Sequence, residues 1–347
     1  MYKIIRPLLF RADPEYMHTK TLELGKKLSN SKIRNIIDYI YGFEDERLNV
    51  NVLGFKFKNP IGLAAGFDKN GDLVDFLPSL GFGFLEIGSI TALAREGNEK
   101  PRLFRLEKDK ALINRLGLNN EGADSIYEKL KDREFKVPLF INISKTNDPS
   151  ILYKKAVDDF LYSFKKIYDI VDIVTINISC PNTKDGKTFE ERSSLEELIS
   201  KLTENNPLNK KLLIKISPDI LYSKLEDIFY VAEKYNIDGY VISNTSLSRT
   251  DLKTSSRKIE RIGRGGLSGQ PIKQRSTNLI KYIKFNYPDK TIIGVGGIFS
   301  AQDAYEKLKA GASLIQIYTG LIYEGPGLVK KIKKDLVKIL ENQQLIH

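Results

Sequence analysis

The chain has 347 residues, 41% hydrophobic and 29% charged, with a net charge of +11; this is the profile of a globular protein with room for one large domain or two ordinary ones. A single cysteine, Cys180, excludes a disulfide framework and a protein-held iron–sulfur cluster, and two histidines, His18 and His347, are too few for a zinc site. Redox chemistry must therefore use an organic cofactor, and the positive charge reads as solvated lysine rather than a nucleic-acid surface.

Residues 1–45 stand apart. Leu8, Leu9, Phe10, Tyr16, Leu22, Leu24 and Leu28 mingle with Arg11, Lys20, Lys26 and Lys27, a pattern that predicts two short amphipathic helices broken at Asp13-Pro14. Asp13 suits an N-cap and Pro14 the first helical position. The apolar face can pack on the rest of the chain, on a bilayer or on a partner. No apolar run approaches the ~20 residues of a membrane span, and the N-terminus lacks a secretory core and cleavage site. The expectation is an intracellular catalytic part with at most peripheral membrane contact.

From residue 46 to 347, short apolar runs alternate with helical patterns. Strands are predicted at Ile61–Ala64, Phe84–Ile87, Leu139–Ile143, Asp172–Ile176, Leu212–Ile216, Gly239–Ile242, Ile292–Val295 and Leu314–Tyr318, with helices at Ile151–Tyr168, Leu195–Thr203, Leu225–Tyr235, Gln274–Phe285 and Ala301–Ala310. Continuous apolar runs point to strands buried on both faces, hence a parallel sheet. Eight such units predict an α/β fold, a (β/α)8 TIM barrel carrying an N-terminal two-helix extension. A doubly wound open sheet is the alternative, disfavoured because no Gly-x-Gly-x-x-Gly turn follows the first strand. The polar stretch Leu247–Arg264 is long for a connection and reads as a lid.

Active sites of such barrels lie at the C-terminal ends of the strands. The fourth strand stops at Asn177-Ile178-Ser179-Cys180-Pro181-Asn182-Thr183. Asparagine donates and accepts at once, so Asn177 and Asn182 can grip a ring imide while Cys180 moves a proton; the other reading of Cys180 is a small core hydrophobe. Gly296-Gly297 and Tyr318-Thr319-Gly320, after the seventh and eighth strands, each lead into a helix and suit a phosphate. Arg264-Gly265-Gly266-Leu267-Ser268-Gly269 adds a third glycine-rich loop. Lys215, inside an apolar run, needs an anion or an electron-rich partner, such as the edge of a reduced flavin. Lys69 suits a substrate carboxylate, and a snorkelling surface lysine is its bland alternative.

Taken together, Asn59 to Lys69, Lys100-Pro101-Arg102-Leu103-Phe104-Arg105, Asn114-Arg115-Leu116-Gly117, Asn177 to Thr183, Gly265 to Gly269 and Ile293 to Ile298 resemble dihydroorotate dehydrogenase, the flavoenzyme of pyrimidine synthesis, over nearly the whole chain. The resemblance implies FMN held by Ala65, Gly66, Phe67, Asp68, Lys69, Ser89, Asn142, Asn177, Lys215, Ser243, Gly269, Gly297, Tyr318 and Thr319. It implies dihydroorotate, the precursor of orotate, held by Lys69, Asn114, Arg115, Leu116, Gly117, Leu118, Asn177, Asn182, Asn244 and Thr245. Cys180 would be the base that takes the C5 proton. The opening, with Asp13-Pro14-Glu15 and His18, looks like the extension of the quinone-reducing class, which implies a peripheral protein on the cytoplasmic side of the cell membrane, expected as a monomer with no nucleic-acid partner. That class usually has serine as the base; cysteine is the habit of the soluble class, which uses fumarate or NAD. A tRNA-dihydrouridine synthase-like flavoenzyme would carry a helical RNA-binding domain after the barrel, and a non-catalytic basic membrane-surface protein would bind no flavin.

Overall fold

The computed structural model describes residues 2–29, 31–179 and 189–344. Eight parallel strands close a barrel in chain order: Ile61–Leu63, Phe84–Ile90, Leu139–Ile143, Ile173–Asn177, Lys211–Ile216, Gly239–Ile242, Thr291–Val295 and Leu314–Ile317, the last pairing back on the first. The chain is a (β/α)8 barrel. The largest shift is in the second strand, which runs on past the apolar pattern because its backbone keeps pairing through Gly88 to Ile90.

Side chains alternate in and out along each strand. The outward positions meet amphipathic helices such as Lys154–Ile167, Arg192–Glu204, Tyr222–Lys234, Lys273–Asn286 and Ala301–Lys309, which is why the strands read as unbroken apolar runs. The lower interior is a separate apolar cluster of Phe57, Phe84, Phe140, Ile173, Leu213 and Val241, among others. The Phe84 and Phe140 rings stack at 4.8 Å, and Gly62 has no side chain because a Cβ there would fall 2.3 Å from the Phe84 ring. Phe57 comes from a hairpin, Val50–Val52 with Phe55–Phe57, that plugs the N-terminal end of the barrel. Above this plug the interior turns polar: Glu86, Asn142, Thr175, Lys215 and Gln316 are all buried.

Three elements depart from the sequence reading. The first 45 residues hold three helices rather than two, Tyr2–Leu9, Pro14–Ser29 and Ile33–Tyr41; the third carries Ile33, Ile36, Tyr39 and Ile40 to solvent. Asp13 does cap the second helix, its carboxylate accepting from Tyr16 N at 2.9 Å. Arg264–Gly269 is not simply a loop: Gly266–Gly269 is a strand that pairs with Ala111–Asn114, which pairs with Leu103–Leu106. Glycine is required there because a Cβ on Gly266 would sit 2.0 Å from Thr245 Oγ1. The segment read as a lid is tied down. It holds the helix Ser256–Ile262, and Asp109 accepts from Lys253 N at 2.5 Å and Thr254 N at 3.1 Å.

The extension is pinned to the barrel by polar contacts. Tyr2 donates to Ile322 O at 2.6 Å, Arg6 to Tyr323 O at 2.8 Å, and Glu15 pairs with Arg102 at 2.7 Å. Ile4, Leu8, Leu24 and Ile36 nevertheless stay more than half exposed. No helix among the described residues is long and apolar enough to cross a membrane.

Candidate active site

A cavity opens at the C-terminal ends of the strands, its empty space about 1110 Å³ with the open mouth included. Lys215 enters it from the fifth strand, in register between Asn177 and Val241. It is 6% exposed, and no carboxylate pairs with its ammonium among the described residues. Burying an unpaired cation costs several kcal/mol, so this one is placed for a ligand. Lys69 also lines the cavity. Burial, reinforced by the Arg102 charge and opposed by Glu15 and Asp68, pushes its pKa down to about 8.

The rest of the wall fits a flat, phosphorylated, hydrogen-bonding molecule. Gly297 at positive φ and Gly320 face it from the ends of the seventh and eighth strands. A Cβ on Gly297 would lie 2.3 Å from Lys273 Cβ, and one on Gly320 2.0 Å from Ile298 O, so only bare backbone N–H groups fit there. Gly269 and Thr319 complete this side, with Thr319 bonded to Ser268 Oγ at 2.9 Å. Gln316 Oε1 is buried without a partner among the described residues, on a side chain that lines the cavity. Ala65, Gly66, Ser89, Ser243 and Tyr318 line it as well.

The opposite wall is amide-rich. Asn244 Nδ2 donates to Asn177 Oδ1 at 3.1 Å, and Asn114 reaches Gly266 O at 3.4 Å. Leu116, Gly117, Leu118 and Thr245 complete it. This loop is held from behind: Asn98 donates to Arg115 O at 2.9 Å and Asn147 to Gly117 O at 3.0 Å.

Four expected site residues stand elsewhere. Phe67 faces away, edge-on to His18 at 5.1 Å. The Asp68 carboxylate accepts from Asp72 N and Leu73 N, at 2.9 and 2.7 Å, with its pKa raised to about 6 by burial. Arg115 lays its guanidinium over Phe104 and donates to Ile262 O at 2.6 Å, so it buttresses the loop from outside. Asn142 is fully buried behind Ser89. Cys180 and Asn182 lie outside the described residues; next to them in the chain, Ser179 is buried with its Oγ donating to Lys215 O at 3.3 Å.

A second, apolar cavity lies between the extension and the barrel, with empty space of about 1580 Å³ including its mouth. Met17, His18, Thr21, Leu24 and Leu28 line it from the second helix, Phe67 and Leu77 from the barrel. Leu103, Leu112 and Tyr318 line both cavities, so the two adjoin there. His18 is pushed down to about 4, by burial first and by Lys69 second, and is neutral near pH 7. Sequence reading gave the extension as the acceptor's entry but missed Glu86, Gln316 and the residues that form this junction. Glu86 left a signal, a lone carboxylate inside the apolar run Phe84–Ile90; the junction left none, because its walls come from distant segments.

The family model described as dihydroorotate dehydrogenase matches residues 47–340. The chain belongs to the dihydroorotate dehydrogenase family. A relative from Gloeobacter violaceus, named dihydroorotate dehydrogenase (quinone), is 40% identical over 100% of this chain and 97% of its own. One of the same name from Christiangramia forsetii is 43% identical over 98% of this chain and 99% of its own. The solved structure of DHODH from Eimeria tenella in complex with ferulenol has a TM-score of 0.86 at 33% identity, covering 96% of this chain and 93% of that one. Its ligand-free counterpart has a TM-score of 0.84 at 34% identity, covering 95% and 96%.

Proposed function

We propose that this chain oxidises (S)-dihydroorotate to orotate, a step of pyrimidine biosynthesis, and passes the electrons to a quinone. One observation carries the choice of acceptor: the apolar cavity under the N-terminal helices meets the polar cavity at Leu103, Leu112 and Tyr318. An apolar oxidant can approach through one while a polar substrate occupies the other.

The cofactor that fits is FMN. Gly297, Gly320 and Thr319 suit its phosphate, Ser89 and Gln316 its polar ring edge, and Lys215 supplies positive charge where electrons arrive. FMN, when bound, supplies the acceptor for the hydride from substrate C6. The protein does the rest. Lys69 holds the substrate carboxylate, and Asn114, Asn177 and Asn244 match the alternating donors and acceptors of the pyrimidine ring. Cys180, three residues after Asn177 in the chain, takes the C5 proton. The exposed apolar residues of the first and third helices suit a monomer lying peripherally on the cytoplasmic side of the cell membrane.

Acceptor kinetics test this. Enzyme reduced with dihydroorotate is expected to be reoxidised faster by a short-chain quinone than by fumarate or NAD. If fumarate is faster, the cysteine base was the better guide to class.

The Lys69 charge gives a pH prediction. A lysine is cationic below its pKa, so with that value near 8 the charge is lost as pH rises through 8. Orotate affinity, read from the flavin spectrum, is expected to be level below pH 8 and to fall by up to about tenfold per unit above it. Lys69→Met removes this slope and weakens binding at pH 7 by roughly 10–10². A slope that survives the substitution assigns it to another group.

A further inference from the structure

The polar half of the barrel interior contains a carboxylate that the reaction above does not use. Glu86, on the second strand, is fully buried, and no basic side chain pairs with it among the described residues. Its partners are amides. Asn142 Nδ2 donates to Oε1 at 2.8 Å, and Gln316 Nε2 donates to Oε2.

From Asn142 the hydrogen bonds run on in one direction. Ser89 Oγ donates to Asn142 Oδ1. Asn177 Nδ2 donates to Ser89 Oγ at 3.2 Å, and Asn244 Nδ2 to Asn177 Oδ1 at 3.1 Å. Asn244 Oδ1 accepts from Thr245 N at 2.9 Å. Every link but Glu86 and Asn142 touches the polar cavity.

An amide or a hydroxyl can face either way, so such a chain has two directions of nearly equal energy unless something breaks the tie. A carboxylate breaks it at one end, because it only accepts; at the other end backbone groups hold Asn244, whose Nδ2 also donates to Ser179 O at 3.2 Å while its Oδ1 accepts from Thr245 N. Asn142 must turn its NH2 to Glu86, so its oxygen faces Ser89. The Ser89 hydroxyl must then donate to Asn142, which leaves its lone pairs for Asn177. Asn177 therefore keeps its second N–H for the cavity, and its oxygen meets Asn244. The other carboxylate oxygen fixes Gln316 in the same way, which explains why Gln316 Oε1 is left unpaired.

We infer that Glu86 is a positioning residue: its carboxylate holds Asn142 and Gln316 in the one orientation that agrees with the backbone-held far end, and so fixes the face Gln316 presents to the cavity and the way the Ser89 hydroxyl meets Asn177. The inference rests on the proposed function, in which those amides hold the reacting rings.

The test is Glu86→Gln in the FMN-loaded enzyme. Glutamine keeps the size but can also donate, so Asn142 and Gln316 are no longer held to one orientation and can turn against the backbone-held end of the chain. Flavin reduction by saturating dihydroorotate, followed by stopped-flow absorbance without oxygen, is expected to slow by roughly 10–10²-fold, the scale of a small misplacement of positioning groups, and the absorbance spectrum of the resting flavin, read without substrate, is expected to shift as Gln316 turns. Adding Asn142→Asp restores an acceptor-only group one step along, to which Ser89 must donate, so the double variant is expected to regain at least about tenfold. Thr175→Val, which removes a buried hydroxyl in the same interior but outside the chain, is expected to reduce its flavin at the parental rate. The inference is overturned if Glu86→Gln keeps the parental rate, if the double variant is no faster than the single one, or if Thr175→Val is slowed equally. Should Glu86→Gln not fold, the comparison moves to Ser89: Ser89→Ala cuts the chain, Ser89→Thr keeps its hydroxyl and is expected to reduce its flavin at least about tenfold faster than Ser89→Ala, and equal rates for the two overturn the inference. If dihydroorotate does not reduce the parental enzyme at all, the substrate assignment fails first, before any variant is compared.

Discussion

Cys180→Ala is expected to slow flavin reduction by dihydroorotate by ~10²–10⁴-fold with FMN still bound, the usual contribution of a positioned base. The hydride cannot leave C6 readily unless the C5 proton is taken, and Cys180 is the residue proposed to take it. Asn177 lines the cavity, Ser179 is buried beside it, and Cys180 follows directly in the chain. His18, neutral near pH 7, lines the apolar cavity rather than the polar one. Cys180→Ser should retain more activity than Cys180→Ala but need higher pH, because a thiol ionises near ~8.5 and a hydroxyl far above that. Stopped-flow reduction across pH 6–10 reads both effects. A Cys180→Ala enzyme reduced at the parental rate would return the cysteine to a packing role.

The second large effect separates the two halves of the turnover. A chain lacking residues 2–41 is expected to keep flavin reduction within a few-fold of parental and to lose quinone reoxidation by ~10²-fold or more. The second helix supplies Met17, His18, Thr21, Leu24 and Leu28 to the apolar cavity, and the third helix adds Ile37 and Ile40. Without them Leu73, Leu77 and Leu80 lose their cover, so the experiment belongs in detergent. The Glu15–Arg102 pair is lost too, and with it one brace on the loop carrying Glu96 and Asn98, whose carbonyls accept from Arg102 at 2.6 and 2.7 Å. A modest rise in KM for dihydroorotate follows from that. Equal loss of both half-reactions would mean that the extension supports the barrel rather than the acceptor's approach.

The two kinds of site residue differ in how they showed themselves. Lys215 and Asn177 were legible because each ends or interrupts a buried apolar run, where a polar group needs a reason. The glycines after the seventh and eighth strands were legible because their positions in a barrel have a known use. Arg115 and Asp68 lie in the same motifs, but the direction of a loop side chain depends on what stands behind it. For Arg115 that is Phe104 and the Ile262 carbonyl; for Asp68 it is the amides of Asp72 and Leu73. The third helix escaped because its apolar groups are divided: Ile37 and Tyr41 pack inward while Ile33, Ile36 and Tyr39 are left to solvent, so the segment does not read as one core-facing stripe.

The sequence by itself determined the barrel, since the period and length of its apolar runs allow few other closures, and it determined the chemical character of the mouth. The tertiary structure alone decided how those groups are aimed. The strand Gly266–Gly269 meets Ala111–Asn114 across about 150 residues of chain, and Leu103, Leu112 and Tyr318 meet where the two cavities join. Glu86 reaches Gln316 across 230 positions. A hydrogen bond is directional and short-ranged, so residue type announces that a donor or acceptor exists, while only the closed barrel brings its partner within 3 Å and so fixes which way it points.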